Sequence, residues 1–119
     1  MGVVYHGNYP AYYEVARVES LRAMGFSYKR LEDSGVMLPV LQFHIDFKKP
    51  ARYDDLLTVT SKIKEVPQVK LRFDTEIHNA AGELLNTGHV VLAFVNKQTF
   101  RPQRAPKEMQ ELLTPLIVS

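Results

Sequence analysis

The stretch VKLRFDTEIHNAAGELLNTGHVVLAFVN, residues 69–96, alternates apolar with polar side chains and contains its own turn. Its first nine residues place an apolar side chain or Thr at every second position, which is the period of a β-strand that buries one face. Residues 79–82 predict a hairpin turn, and a long last strand follows over residues 83–96. Because residues 90–95 are apolar at every position, we expect this strand to lie at the centre of a sheet or at an interface.

Two earlier segments share the two-residue period. In residues 41–47 apolar side chains alternate with polar ones, which predicts a half-buried strand. Residues 50–55 predict a turn, and residues 57–63 predict another strand, in which Ser61 interrupts the apolar side. Residues 99–106 are expected to form a loop. The chain therefore offers four antiparallel strands.

Helical signals lie near both ends of the chain. Asn8 suits an N-cap, Pro10 is tolerated in a first helical turn, and Gly25 fits the stop of a long helix. Shorter helices are expected over residues 28–34 and 107–113. Apolar residues spaced i, i+4, i+7 and i+10 in the long helix predict the stripe that faces the sheet: Ala11, Val15, Val18 and Leu21.

A long helix packed on one face of an antiparallel sheet is an α+β layer arrangement. The 119 residues are expected to form a single domain over residues 1–119. Four strands and one long helix make a thin core, and a chain of this size is only marginally stable alone. We therefore expect a second subunit to bury part of the surface, including the apolar last strand.

Composition narrows the class of protein. The absence of Cys excludes a disulfide framework, a thiolate metal site and a Cys nucleophile, and it fits a reducing compartment, so a cytoplasmic protein is expected. The net charge of +2 is too small to indicate nucleic-acid binding and suits a small anionic ligand. No apolar run predicts a membrane span or a signal peptide.

The stretch GVVYHGNYPAYYEVAR, residues 2–17, resembles the segment that leads into the central helix of hotdog-fold acyl-CoA thioesterases. The resemblance is to the 4-hydroxybenzoyl-CoA thioesterase family, including its bacterial branch that acts on short or medium acyl-CoAs. Residues 38–63 resemble the next two strands of that family, and residues 82–106 resemble its last strand and exit loop. The resemblance implies a hotdog fold, in which an antiparallel sheet wraps a long central helix, and hydrolysis of an acyl-CoA thioester to a free acid and CoA.

The family's pattern also includes a first β-strand and a catalytic aspartate, which lies three residues ahead of the position of Gly2. The resemblance implies that both fall outside this sequence, so the fold is expected to be missing its first strand. We expect a shortened form of an enzyme rather than a natural pseudoenzyme. The alternative is a non-catalytic acyl-CoA-binding or scaffold protein. A hotdog dehydratase or hydratase is less favoured, because the Asp-x-Asn-Pro-x-His type of motif is not found.

Thioester hydrolysis needs a carboxylate and hydrogen-bond donors that stabilise an oxyanion. By resemblance, the backbone N–H of His6 polarises the thioester carbonyl, and the His6 side chain orients the carboxylate, positions water or protonates the leaving thiolate. Asn8 is a candidate catalytic side chain, although an N-cap role is favoured. Glu14 is the nearest carboxylate to the motif, and an ion pair with Arg17 is favoured over a role as base.

Substrate-binding candidates fall into two groups. Tyr5 and Tyr9 flank the turn, and they line an acyl pocket or pack in the core. The phosphates of CoA call for cations at the rim of the pocket. The basic candidates, of which those from residue 97 onward are favoured, are Lys70, Arg72, Lys97, Arg101 and Arg104.

No metal and no cofactor are expected. The histidines His44, His78 and His89 have no metal-ligand spacing, and His89 is expected to be an interior residue. Acyl-CoA is the expected small-molecule partner. In the resembled family two protomers pair their sheets and place active sites at the interface, so a homodimer or homotetramer is expected.

Overall fold

A computed structural model describes residues 9–52 and 56–117 of the chain. The elements in chain order are α1 (Tyr9–Ala23), α2 (Tyr28–Asp33), β1 (Val36–Met37), β2 (Val40–Phe47), β3 (Thr58–Lys62), β4 (Lys70–His78), β5 (Leu84–Ala93), β6 (Val95–Asn96) and α3 (Lys107–Ile117).

The main sheet is antiparallel and has four strands in the order β2-β5-β4-β3. The strand β5 therefore pairs on both sides, whereas β2 and β3 lie at the edges of the described sheet. The short strands β1 and β6 form a separate antiparallel pair. One long helix and this sheet confirm the predicted α+β class.

The strand β4 shows how one strand serves two faces of the sheet. Leu71, Phe73, Thr75 and Ile77 are buried, and the residues between them are exposed or half-buried. Because successive side chains point to opposite faces, the buried set forms the core and the other set lines an outer face. The alternation that predicted this strand is confirmed.

The helix α1 packs on the sheet through a different stripe from the one expected. Its buried residues are Tyr9, Tyr13 and Leu21. Of the expected aliphatic stripe, Leu21 is buried, but Val15 is 62% exposed. The prediction of that stripe is therefore wrong, because the two tyrosines bury larger apolar surfaces against aromatic partners on the sheet.

The edge strand β2 carries exposed apolar side chains. Leu41 is 55% exposed, and Val40, Phe43 and Phe47 are exposed as well. Phe43 and Phe47 still contact the helix, with ring centroids 5.3 Å from Tyr13 and 5.4 Å from Tyr9. The strand was expected to be half-buried, and within one chain it is mostly exposed.

The last strand is not continuous, contrary to expectation. It breaks at Phe94, whose side chain is fully buried, and β6 then pairs with β1, a strand that the sequence did not predict. The terminal helix α3 also runs further than expected, to Ile117, with Pro115 in its last turn. Short non-local pairing leaves little local pattern, which explains why β1 was missed.

The exit loop is fastened to the turn that connects β3 with β4. The backbone N–H of Ala105 donates to the carbonyl of Gln68 at 2.6 Å, and Gln110 Nε2 donates to the carbonyl of Pro67 at 2.9 Å.

None of the helices in residues 9–52 and 56–117 has the length and apolar character of a membrane span.

Phe73→Ala is expected to lower the free energy of unfolding by about 3–5 kcal/mol, because it leaves a cavity in the core, where Phe73 is fully buried. Denaturant unfolding followed by circular dichroism measures this change. Phe100→Ala is the matched control, since Phe100 is 70% exposed and is expected to cost about 0.5 kcal/mol or less. Equal losses for both variants would contradict the assignment of this face as the core.

Candidate active site

The helix α1 begins at Tyr9, which is also the first residue that the structure describes. Tyr5, His6 and Asn8 lie outside the described residues. The roles expected for these side chains, including the N-cap at Asn8, therefore remain predictions.

Tyr9 anchors the start of α1 in the core. Its side chain is fully buried, and its ring lies 6.0 Å from that of Tyr12 and 5.4 Å from that of Phe47. Burial raises the pKa of Tyr9, while a hydrogen bond with the Ala51 backbone opposes the rise. These contacts anchor the first residue of α1 in the core, and the acyl-pocket role expected for Tyr9 remains a prediction.

One turn further along α1, Tyr13 reaches across the sheet to β5. Its hydroxyl donates to Asn86 Oδ1 at 2.7 Å, and both side chains are fully buried. A Cβ at Gly88 would lie 2.8 Å from the Tyr13 ring, so the absence of a side chain at Gly88 allows the tyrosine to pass. Asn86 was not predicted from the sequence, although a lone amide in a central strand with buried apolar residues was the available signal.

Glu14 and Arg17 do not form the expected pair. Arg17 Nε donates to the Tyr28 hydroxyl at 3.0 Å, and no ion pair between Glu14 and Arg17 occurs in the described part of the chain. Burial raises the pKa of Tyr28, while Arg17 opposes the rise. The Glu14 side chain lies on the exposed side of α1. Arg17 therefore fastens α1 to α2.

Basic side chains meet at a cleft of about 550 Å³ on the outer face of the sheet. Lys64, Lys70 and Arg72 line it, together with Gln68 and the outward-facing Val91. Arg72 Nη2 lies 3.1 Å from Asp74 Oδ1, so part of its charge is already matched. The predicted candidates Lys70 and Arg72 are thus brought together, and Lys64 is a cation that the sequence analysis missed.

The three candidates after the last strand do not stay together. Arg104 Nη2 donates to Gln68 Oε1 at 3.2 Å, which places Arg104 beside the cleft. Lys97 Nζ lies 3.4 Å from Glu32 Oε1 on α2, and Arg101 adjoins β6, where its carbonyl accepts from the Asn96 N–H. Neither Lys97 nor Arg101 lines the cleft. The exit loop thus divides the expected cluster between two places.

The outer face also carries two stacked imidazoles. His44 and His89 pair across β2 and β5, with ring centroids 5.3 Å apart. Burial lowers the pKa of His89, and the charges of Arg72 and His44 lower it further. His89 is half-buried on this face rather than interior, so that expectation is wrong. Among the described residues, no group of three potential ligands could hold a metal ion.

The comparisons with known proteins agree with this architecture. Residues 1–113 match the family model of the thioesterase-like superfamily. The acyl-CoA thioester hydrolase YbgC of Escherichia coli is 36% identical over 108 residues, which cover 91% of this chain and 81% of that protein. The acyl-CoA thioesterase YbgC of Haemophilus influenzae is 32% identical over 110 residues, covering 92% of this chain and 80% of that protein.

A solved structure shows the same architecture. The DHNA-CoA thioesterase from Staphylococcus aureus superposes with a TM-score of 0.88 at 32% identity, covering 98% of this chain and 80% of that one. The family match, the relatives and the hotdog-type arrangement of helix and sheet agree, and the chain belongs to the thioesterase-like superfamily.

Proposed function

We propose that this protein hydrolyses acyl-CoA thioesters to a free carboxylic acid and CoA. The observation that carries the proposal is membership of the thioesterase-like superfamily, with relatives above 30% identity that are named acyl-CoA thioester hydrolases. The fold supports it, because the described part of the long helix begins over the core at Tyr9, shortly after His6 in the sequence.

The chemistry follows from the start of that helix. Unpaired backbone N–H groups and the partial positive charge of a helix N-terminus favour an oxyanion on the thioester carbonyl. The proposed role of the His6 backbone is to supply such a donor. The His6 side chain is proposed to position the water or to protonate the leaving thiolate. Asn8 is proposed to cap the helix and so to fix the turn.

The chain is expected to release CoA from acyl-CoA esters, and His6→Ala is expected to lower kcat at least about tenfold, because a positioned imidazole is lost. A thiol-reactive chromophore measures CoA release without background, since the protein contains no Cys. His78→Ala is the matched control, because the His78 side chain lies beside Glu76, on the face of β4 opposite to the buried Ile77. CoA binding without any release would contradict hydrolysis and favour a binding protein.

We further propose that the outer cleft binds the phosphates of CoA. Lys64 and Lys70 supply two ammonium groups, and Arg104 stands next to them through Gln68. Charge-assisted hydrogen bonds to phosphate oxygens are stronger than neutral ones. The Tyr5 and Tyr9 side chains are proposed to lie at the acyl end of the same substrate.

Neutralising both cleft lysines, in Lys64→Gln/Lys70→Gln, is expected to raise KM about tenfold and leave kcat within about twofold, because phosphate contacts position the substrate without touching the carbonyl. Steady-state kinetics on one acyl-CoA at fixed ionic strength measures both constants. Lys97→Gln/Arg101→Gln removes the same number of charges away from the cleft and is the control. A larger rise in KM for the control pair would move the phosphate site to the exit loop.

We also propose that a second copy of the chain covers strand β2, giving at least a homodimer. This strand has an unpaired edge in the described sheet and exposes Val40, Leu41, Phe43 and Phe47. An exposed apolar edge strand is a template for pairing with another chain. Pairing two copies at β2 would extend the sheet and bury these side chains.

The chain is expected to sediment with at least twice its 13.6 kDa mass, and Leu41→Lys is expected to shift it towards the monomer, because a charged edge opposes pairing. Analytical ultracentrifugation at several concentrations measures the shift. Leu116→Lys is the matched control, since Leu116 is similarly exposed but lies on α3. A monomeric parent would overturn the proposal.

A further inference from the structure

Asn86 is a fully buried amide in the middle of the core. It lies on β5, where Leu85, Val90 and Leu92 are also buried. The other buried polar residue in the described part of the chain is Thr75. A polar side chain that is buried in a core is expected to have all of its donors and acceptors hydrogen-bonded.

Half of the Asn86 amide is satisfied within the chain. Its Oδ1 accepts from the Tyr13 hydroxyl at 2.7 Å. Its Nδ2, although buried, has no hydrogen-bond partner among residues 9–52 and 56–117. A buried donor without an acceptor loses its hydrogen bonds to water and gains none in return. The Nδ2 group therefore lowers the stability of the fold.

Thr75 behaves differently on the same face of the sheet. Its Oγ1 donates to Ser61 Oγ at 3.3 Å, and both partners belong to neighbouring strands. The fold therefore satisfies its other buried polar side chain from within. The unpaired Nδ2 donor of Asn86 therefore lies in one place, the region beneath the start of α1.

The position of Asn86 connects it to that helix start. Its Cα pairs with Phe47 on β2 and with Ile77 on β4. The Phe47 ring contacts Tyr9, the first residue of α1, and Tyr13 stands one turn further on. Asn86 thus lies under the first two turns of the helix whose N-terminus is the proposed site of carbonyl polarisation.

Tyr13 fixes the orientation of the amide. Burial raises the pKa of Tyr13 to about 12, so its phenol keeps its proton and remains a donor at neutral pH. A donating hydroxyl selects the Asn86 oxygen and turns the Nδ2 group away from Tyr13. The pair therefore holds one amide donor in a fixed direction inside the protein.

We propose that Asn86 is a further catalytic residue of the thioesterase site, and that its Nδ2 donates during the reaction to an oxygen acceptor beneath the start of α1. The acceptor is either the oxygen of a bound water or the carbonyl oxygen of the acyl thioester. This inference rests on the proposed hydrolase function. It gives the Tyr13–Asn86 hydrogen bond a role in rate rather than in packing alone.

The first test replaces both members of the pair by apolar side chains of similar shape, in Tyr13→Phe/Asn86→Leu. Because no buried polar atom is left unpaired, the melting temperature is expected to stay within a few degrees. The value of kcat is expected to fall at least about tenfold, with KM within about threefold. Thr75→Val is the matched control, and it is expected to keep kcat within about twofold. A double variant with parental kcat would overturn the inference.

A second variant guards against a folding defect. Asn86→Asp keeps the acceptor for Tyr13, but its carboxylate has no donor until it is protonated, and burial raises the pKa of such a carboxyl. The ratio of variant to parent kcat is therefore expected to rise as the pH falls from 8 to 5. Circular dichroism at each pH confirms that the variant is folded. A ratio that does not change with pH would contradict a donor role.

Nuclear magnetic resonance tests the acceptor without turnover. The side-chain NH₂ signals of Asn86 are assigned by their loss in Asn86→Asp. A water acceptor is expected to give a cross-peak to bound water in the free protein, whereas a carbonyl acceptor is expected to shift the signals only with an S-(2-oxoalkyl)-CoA analogue. If neither is seen, the inference fails. A parent that releases no CoA would instead contradict the proposed function.

Discussion

The hydrogen bond from the Tyr13 hydroxyl to Asn86 ties the long helix to the middle of the sheet, across 73 residues of sequence. It can form only because Gly88 presents no side chain where the tyrosine ring crosses β5. Tyr9 lies one helical turn before Tyr13 and packs on Phe47. The position of α1 over the sheet depends on these contacts.

The sheet itself could be predicted well where a strand has one buried and one exposed face. The alternation over β4 was such a case, and its boundaries agree closely with residues 70–78. The division of the last strand was not accessible, because Phe94 and its neighbours are apolar at every position. The break follows from non-local bonds: Gln103 donates to the Phe94 carbonyl, and Asn96 donates to the carbonyl of Arg101. These hydrogen bonds depend on the tertiary structure, and the local periodicity of the sequence does not predict them.

The same limit explains what was and was not found in the site. The motif that contains His6 stands out in sequence because it is contiguous. The cations in and beside the cleft come from separate segments: Lys64 and Lys70 line it from either side of a turn, and Arg104 stands beside it on the exit loop. The aliphatic stripe in α1 predicted the wrong buried face, because the tyrosines bury more apolar surface than the aliphatic side chains do. Tyr13 is buried, and Val15 is exposed. Spacing shows which residues share a face, and packing decides which face is buried.

The two faces of the sheet carry chemically different side chains. Along β4, Leu71 and Phe73 point into the core, while Lys70 and Arg72 line the outer cleft. Because a strand alternates its faces at every residue, neighbouring positions contact chemically different surroundings at fixed spacing. Changes in the cleft cations leave the buried face of the sheet intact, so the charge of the cleft can vary independently of the helix position. The reverse does not hold, since a shift of β4 by one residue would move its charges into the core. The packing under α1 therefore constrains the cleft more strongly than the cleft constrains the packing.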